Sequence, residues 1–201
     1  DVINTTITLP NGSLLTLSTT LSLADIQAGF VSQLIPQASL GTDGIYPVST
    51  TYTSSITGLT SVPTDNTFTL DTAAPGAGTG ALATASDTGV VGDNKTNDNT
   101  PALSGTAEAN ATVSIVVNGQ TYTTTANAQG VWSLPATATL PEGTYTPVIT
   151  VTDAAGNSST ANGTPFTVDA TAPAAGTGAL AASSDTGVVG DNKTNDNTPA
   201  L

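Results

Sequence analysis

The sequence predicts an all-β chain built of tandem β-sandwich domains. Three observations predict it. Thr, Val, Ile and Leu are plentiful, and runs of helix-forming Glu, Lys, Arg and Gln are absent; β-branched residues suit pleated strands, Thr on the solvent face. A long block of sequence recurs at a spacing near one hundred residues. Between the recurrences, short alternating segments are separated by turn signals at regular intervals.

The repeat sets the organisation. Residues 77–103 read AGTGALATASDTGVVGDNKTNDNTPAL, and residues 175–201 read AGTGALAASSDTGVVGDNKTNDNTPAL. Asp87 thus recurs as Asp185, a spacing of 98 residues, and FTLDTAAP at 68–75 recurs at the same spacing as FTVDATAP at 166–173. That period is too long for a solenoid repeat and matches an immunoglobulin-like sandwich of about seven strands. The expected units are a divergent, N-terminally incomplete domain over 1–74, a linker over 75–86, and a complete domain over 87–172. Residues 173–201 then supply a second linker and the opening strand of a third repeat.

Within the complete repeat the elements follow in order. Thr100–Thr106 opens it. Ala111–Val117 alternates and ends in Asn118-Gly119, the strongest short hairpin signal, and Gln120–Thr125 returns from that turn. Val131–Leu134 carries the single tryptophan. Pro141-Glu142-Gly143 turns the chain into Thr144–Thr152, and Asp153-Ala154-Ala155-Gly156-Asn157 is a tight loop before Ser158–Ala161 and Pro165–Val168. The expected core is Val113, Ile115, Val117, Trp132, Leu134, Val148, Ile149, Val151, Phe166 and Val168, with Trp132 plugging the space between sheets. In the first copy, Asn4–Leu9, Asn11-Gly12 and Ser13–Thr19 mimic the same hairpin. Gly44-Ile45-Tyr46-Pro47-Val48 resembles Gly143–Val148. Leu23–Gln37 has no counterpart and is expected to hold a helical turn, since Ile26, Phe30 and Leu34 recur at i, i+4, i+8.

The stretch SDTGVVGDNKTNDNTPALSGTAEANATVSIVVNGQ, followed by GTYTPVITVTDAAGNSS and FTVDATAP, resembles the bacterial Ig-like (BIg) extender repeats of giant biofilm-associated adhesins. The resemblance covers the whole second copy and the start of the third. It implies export by type I secretion, RTX repeats elsewhere in the parent protein, and an extracellular place on the bacterial cell surface. It also implies a stalk role supporting cell adhesion and biofilm formation, with calcium at or near the junctions between repeats.

Composition excludes several roles. The chain has 2 basic residues, 15 acidic residues, no histidine and a formal net charge of -13. Lys95 and Lys193 cannot neutralise a row of phosphates, so nucleic acid is excluded as a partner, and an anionic membrane surface repels the chain. No apolar run is long enough to span a bilayer. With no cysteine or histidine and only Glu108 and Glu142 as glutamates, catalysis has no nucleophile–base pair, and no enzymatic role is expected.

Oxygen donors in excess suit a hard cation, and calcium is the expected cofactor. The candidate ligands are Asp71, Asp87, Asp93, Asp98, Asp153, Asn157, Asp169, Asp185, Asp191 and Asp196. Placing the loop before the last strand at the domain's N-terminal end brings Asp153 and Asn157 near 93–99. The competing reading is that Asp and Asn cap backbone amides in turns. In the first copy Ser55 and Leu59 stand where Asp153 and Asn157 would be. The expected partners are neighbouring repeats of the same chain. Addition of the orphan opening strand to another copy, as in a filament built by strand exchange, is an alternative. A carbohydrate- or protein-binding module, with Leu23–Gln37 as its contact segment, is another.

Overall fold

The computed structural model describes residues 1–186, 188, 190–198 and 200. The regular secondary structure among these residues is almost wholly β, as the composition predicts. The opening strand expected for the third repeat falls partly on Pro199 and Leu201, outside the described residues.

The first copy is a single antiparallel sheet. Its strands are β1 (Val2–Thr8), β2 (Leu14–Thr20), β3 (Gly44–Thr53) and β4 (Thr64–Leu70), in the order β2-β1-β3-β4. Ile7, Leu40 and Tyr46 are buried, with Leu15, Leu17, Ile35, Val48, Phe68 and Leu70 half-buried around them. Tyr46 stacks on Phe68 with ring centroids 5.2 Å apart. Helix α1 (Leu23–Ala28) starts at a capping box between Ser22 and Asp25 and stops at Gly29, whose φ of 76° is left-handed. It is shorter than the segment expected to carry it, and its apolar stripe does not face the core. Ile26, Phe30 and Leu34 are 57%, 70% and 89% exposed.

The second copy is a sandwich. Its strands are β5 (Ala81–Leu82), β6 (Lys95–Thr96), β7 (Leu103–Thr106), β8 (Thr112–Val117) and β9 (Gln120–Thr125). They continue with β10 (Val131–Leu134), β11 (Gly143–Tyr145), β12 (Val148–Thr152), β13 (Ser158–Asn162) and β14 (Phe166–Val168). One sheet runs β13-β12-β8-β9; facing it are β10-β7-β5 and β11-β14-β6. The strand expected over Thr144–Thr152 is split at Thr146-Pro147, because its two halves join different sheets. In the first copy the corresponding β3 runs unbroken for 10 residues and stays in one sheet. That difference separates a sandwich from a lone sheet.

The sandwich core holds nine of the ten residues expected. Val148 is the exception: it is half-buried, since Ile149 and Val151 point inward and the pleat turns Val148 to the other face. Leu82, Leu103, Ala111, Ala126 and Leu140 complete the core.

Residues 75–83, read from the sequence as part of a linker, lie along the sandwich. Pro75, Gly78, Gly80 and Leu82 are buried. Leu82 pairs with Leu103, the Thr79 N–H donates to the Thr106 carbonyl at 2.8 Å, and the Trp132 indole donates to the Thr79 carbonyl at 3.1 Å. The glycines give clearance rather than flexibility. A Cβ on Gly80 would stand 2.8 Å from Ile149 Cδ1 and 2.9 Å from Trp132, and one on Gly78 would stand 2.6 Å from Val151.

Candidate functional site

The leading segment decides where the acidic residues go. The chain crosses the sandwich along 75–83, turns through loop 84–102, and returns along β7. Loop 87–99 therefore lies at the far end, beside the exit of β14. There β6 pairs in parallel with β14, the Thr167 N–H donates to the Asn94 carbonyl at 2.9 Å, and the Asp169 N–H donates to the Thr96 carbonyl at 2.8 Å.

Asp153 and Asn157 lie at the near end instead. The Asn157 amide donates to the Asp71 carbonyl at 3.1 Å, and the Ser159 hydroxyl donates to the Gly76 carbonyl at 3.2 Å. From Gly143, which pairs with Val168, to Asp153 the backbone runs about ten residues of near-extended chain, roughly 30 Å. The expectation that Asp153 and Asn157 meet 93–99 is thus overturned. They do sit at the N-terminal end of the sandwich, but that end is residues 71–76, because the chain makes one full crossing before loop 87–99 begins.

Most of the predicted ligands serve as backbone caps. Asp153 Oδ1 accepts from the N–H groups of Ala155, Gly156 and Asn157, and its Oδ2 accepts from the Asn157 side chain. The Asn157 side chain and these N–H groups hold the Asp153 carboxyl below the usual carboxylate range. Asp71, Asp93, Asp169 and Asp191 each accept from the N–H two residues ahead. Asp98 accepts from Thr100 and from the Ser86 hydroxyl, and Asp196 repeats this with Thr198 and Ser184. Hydrogen bonds from the Thr198 N–H and the Thr198 and Ser184 hydroxyls hold the Asp196 carboxyl low as well.

Asp87 and Asp185 differ. Asp87 is 8% exposed; its Oδ2 accepts from the Gly92 N–H at 2.6 Å, while its Oδ1 is buried and has no hydrogen-bond partner among the described residues. Asp185 repeats the pattern: Oδ2 accepts from Gly190, and Oδ1 is buried without a partner among the described residues. A buried unpaired carboxylate oxygen is costly, so a recurring one calls for a cation or an ordered water. The donors around it are oxygen only, which fits calcium in kind. In number the fit is incomplete: among the described residues no three carboxylates converge on one point.

At the same end lies an open hollow of about 440 Å³, lined among others by Thr88, Lys95, Thr96, Asn97, Asp169 and Pro173. A feature not foreseen from the sequence also recurs here. The Thr171 hydroxyl donates to Glu142 Oε1, as the Thr72 hydroxyl donates to Asp43 Oδ1 at 2.8 Å in the first copy. Each ties the outgoing segment to the turn that precedes the tyrosine-bearing strand. The matching Asp/Glu-Gly-x-Tyr turns could have signalled it.

Residues 74–170 match the model of a family described as bacterial Ig-like domain. Among solved structures, the chain is similar to a tetra-tandem repeat from the extending region of a large adhesion protein. The identity is 26% and the TM-score 0.40, over 89% of this chain and 43% of that one. It is also similar to a Ca2+-stabilized adhesin that helps an Antarctic bacterium bind ice, with 28% identity and a TM-score of 0.36, over 90% of this chain and 43% of that one. A bacterial immunoglobulin-like domain of the M. primoryensis ice-binding adhesin is 33% identical with a TM-score of 0.30, over 46% of this chain and 98% of that domain. The chain spans less than half the length of the first two. No match was found among curated proteins.

Proposed function

The chain belongs, through residues 74–170, to the bacterial Ig-like domain family, and from that premise we propose that it is a structural extender from the stalk of a bacterial cell-surface adhesin. It acts outside the cell, by length and stiffness and not by catalysis, and supports adhesion and biofilm formation. The observation that carries this reading is the path of the chain. It reaches the second sandwich at residues 71–76 and leaves it at Asp169, at the opposite end, so tension passes through the whole fold. The loop holding Asn157 grips the segment arriving from the previous repeat, which makes neighbouring repeats the natural partners.

Calcium stiffens the junctions on this reading. Asp87 offers it a bare oxygen at the far end, and Asp185 repeats the offer; Asp93, Asp98, Asp191 and Asp196 lie in the same loops as backbone caps and, among the described residues, do not converge with them on one point. Asp71, Asp153, Asn157 and Asp169 flank the segments that join one repeat to the next. A bound divalent cation neutralises carboxylates that otherwise repel one another. The orphan oxygens of Asp87 and Asp185, recurring at the repeat spacing, support the assignment.

The test is calorimetric titration with calcium, paired with small-angle scattering in calcium and in chelator. Calcium binding with a longer, narrower distance distribution is expected. At a calcium concentration a hundred times the Kd, stability should rise by about 2.7 kcal/mol, and Asp87→Asn should lose much of that gain. No binding heat together with superimposable scattering curves overturns calcium stiffening. A chain that curls back so that residues 1 and 200 lie close in both conditions overturns the extender itself.

A further inference from the structure

We propose that the Asn118-Gly119 turn is a modification site, at which the folded protein deamidates spontaneously in preference to its other Asn-Gly pairs. There are three such pairs: Asn11-Gly12, Asn118-Gly119 and Asn162-Gly163. The chemistry is the same at each. The backbone nitrogen of the glycine, having lost its proton to solvent, attacks the asparagine Cγ. A C–N bond forms, and the side-chain nitrogen leaves as ammonia, giving a five-membered succinimide. Water then opens one of the two ring C–N bonds, leaving an aspartate or an isoaspartate. No oxidant or cofactor is needed. Glycine favours the reaction because no Cβ obstructs the ring closure.

Structure separates the three. The attacking nitrogen must be free to lose its proton, and the Cγ must be free to reach it. At Asn11 neither holds: the Gly12 N–H donates to the Leu9 carbonyl at 2.8 Å, and Asn11 Oδ1 is held by the Ser13 N–H at 2.9 Å and the Ser13 hydroxyl at 2.7 Å. At Asn162 the Gly163 N–H donates to the Pro147 carbonyl at 2.7 Å, and Asn162 is itself fixed in register opposite Val148. Asn118 and Gly119 form the exposed two-residue turn between β8 and β9, with φ of 49° and 74°. Among the described residues the Gly119 N–H has no acceptor and the Asn118 side chain has no hydrogen-bond partner.

The product changes the turn. An isoaspartate adds one carbon to the backbone between Val117 and Gln120, which pair directly in the ladder, and either product adds a negative charge to an already acidic chain.

The test is incubation of the whole chain at mildly alkaline pH, folded and in denaturant. Peptide mapping by mass spectrometry and enzymatic methylation of isoaspartate then follow each site. In the folded protein Asn118 should convert roughly fivefold faster than Asn11 or Asn162, the factor that one backbone hydrogen bond of about 1 kcal/mol confers. In denaturant the three rates should converge, and Ser13→Ala should speed Asn11 in the folded chain. Folded-state loss at Asn118 no faster than at the other two overturns the proposal. So does a ranking that survives unchanged in denaturant, because the order would then come from local sequence alone.

Discussion

At the scale of single residues, two aspartates show opposite solutions to the same problem. Asp153 has its oxygens filled by its own loop, whereas Asp87 leaves one buried oxygen bare. Asp153 binds its proton less readily folded than unfolded. Its contribution to stability is therefore complete above the ordinary carboxylate pKa and declines as pH drops through its lowered folded value. Thermal melts of the parent and Asp153→Ala should accordingly differ most at neutral pH, with the gap narrowing in acid; a gap constant with pH would show that the carboxylate's charge is not what holds the loop. The sequence made both residues visible as oxygen donors but could not distinguish them. Cap and candidate ligand differ by which backbone N–H groups lie nearby, and that is settled by turn geometry around Gly92 and Gly156, not by residue type.

Among the elements, the strands that were legible are those with local signals. The Asn118-Gly119 turn fixes β8 and β9, and the alternation of Val131–Leu134 fixes β10. The two-residue strands β5 and β6 carry no period to read, and their partners lie far along the chain. Gly78 and Gly80 read as looseness because glycine is permissive, yet their absent side chains are what let Ile149 and Trp132 close over the segment. Gly105 completes this fit: a Cβ there would lie 1.9 Å from the Thr79 carbonyl oxygen, which is backbone and cannot swing away. Gly105→Ala should destabilise the sandwich by about 1–3 kcal/mol or more in denaturant titrations and expose the amides of 79–83 to hydrogen exchange. An unchanged midpoint would mean that the leading segment is not seated against β7.

For the molecule as a whole, the two copies are unequal in what they bury. Fourteen residues form the second core, against Ile7, Leu40 and Tyr46 in the first. Calorimetry should resolve the β1–β4 sheet as an earlier, smaller transition, with its amides exchanging before those of β8 and β12; one sharp transition with uniform protection would show that the halves fold as one unit. No helix among the described residues is long and apolar enough to cross a membrane. The grip of Asn157 on the Asp71 carbonyl has a geometric consequence. A joint held by side chains of fixed position imposes one rotation and one advance at each step. When the same joint is reused along a chain, the same screw operation compounds, and any such operation traces a helix. A run of repeats sharing this joint would therefore wind with a definite pitch and hand, and one altered junction would offset the axis of everything beyond it.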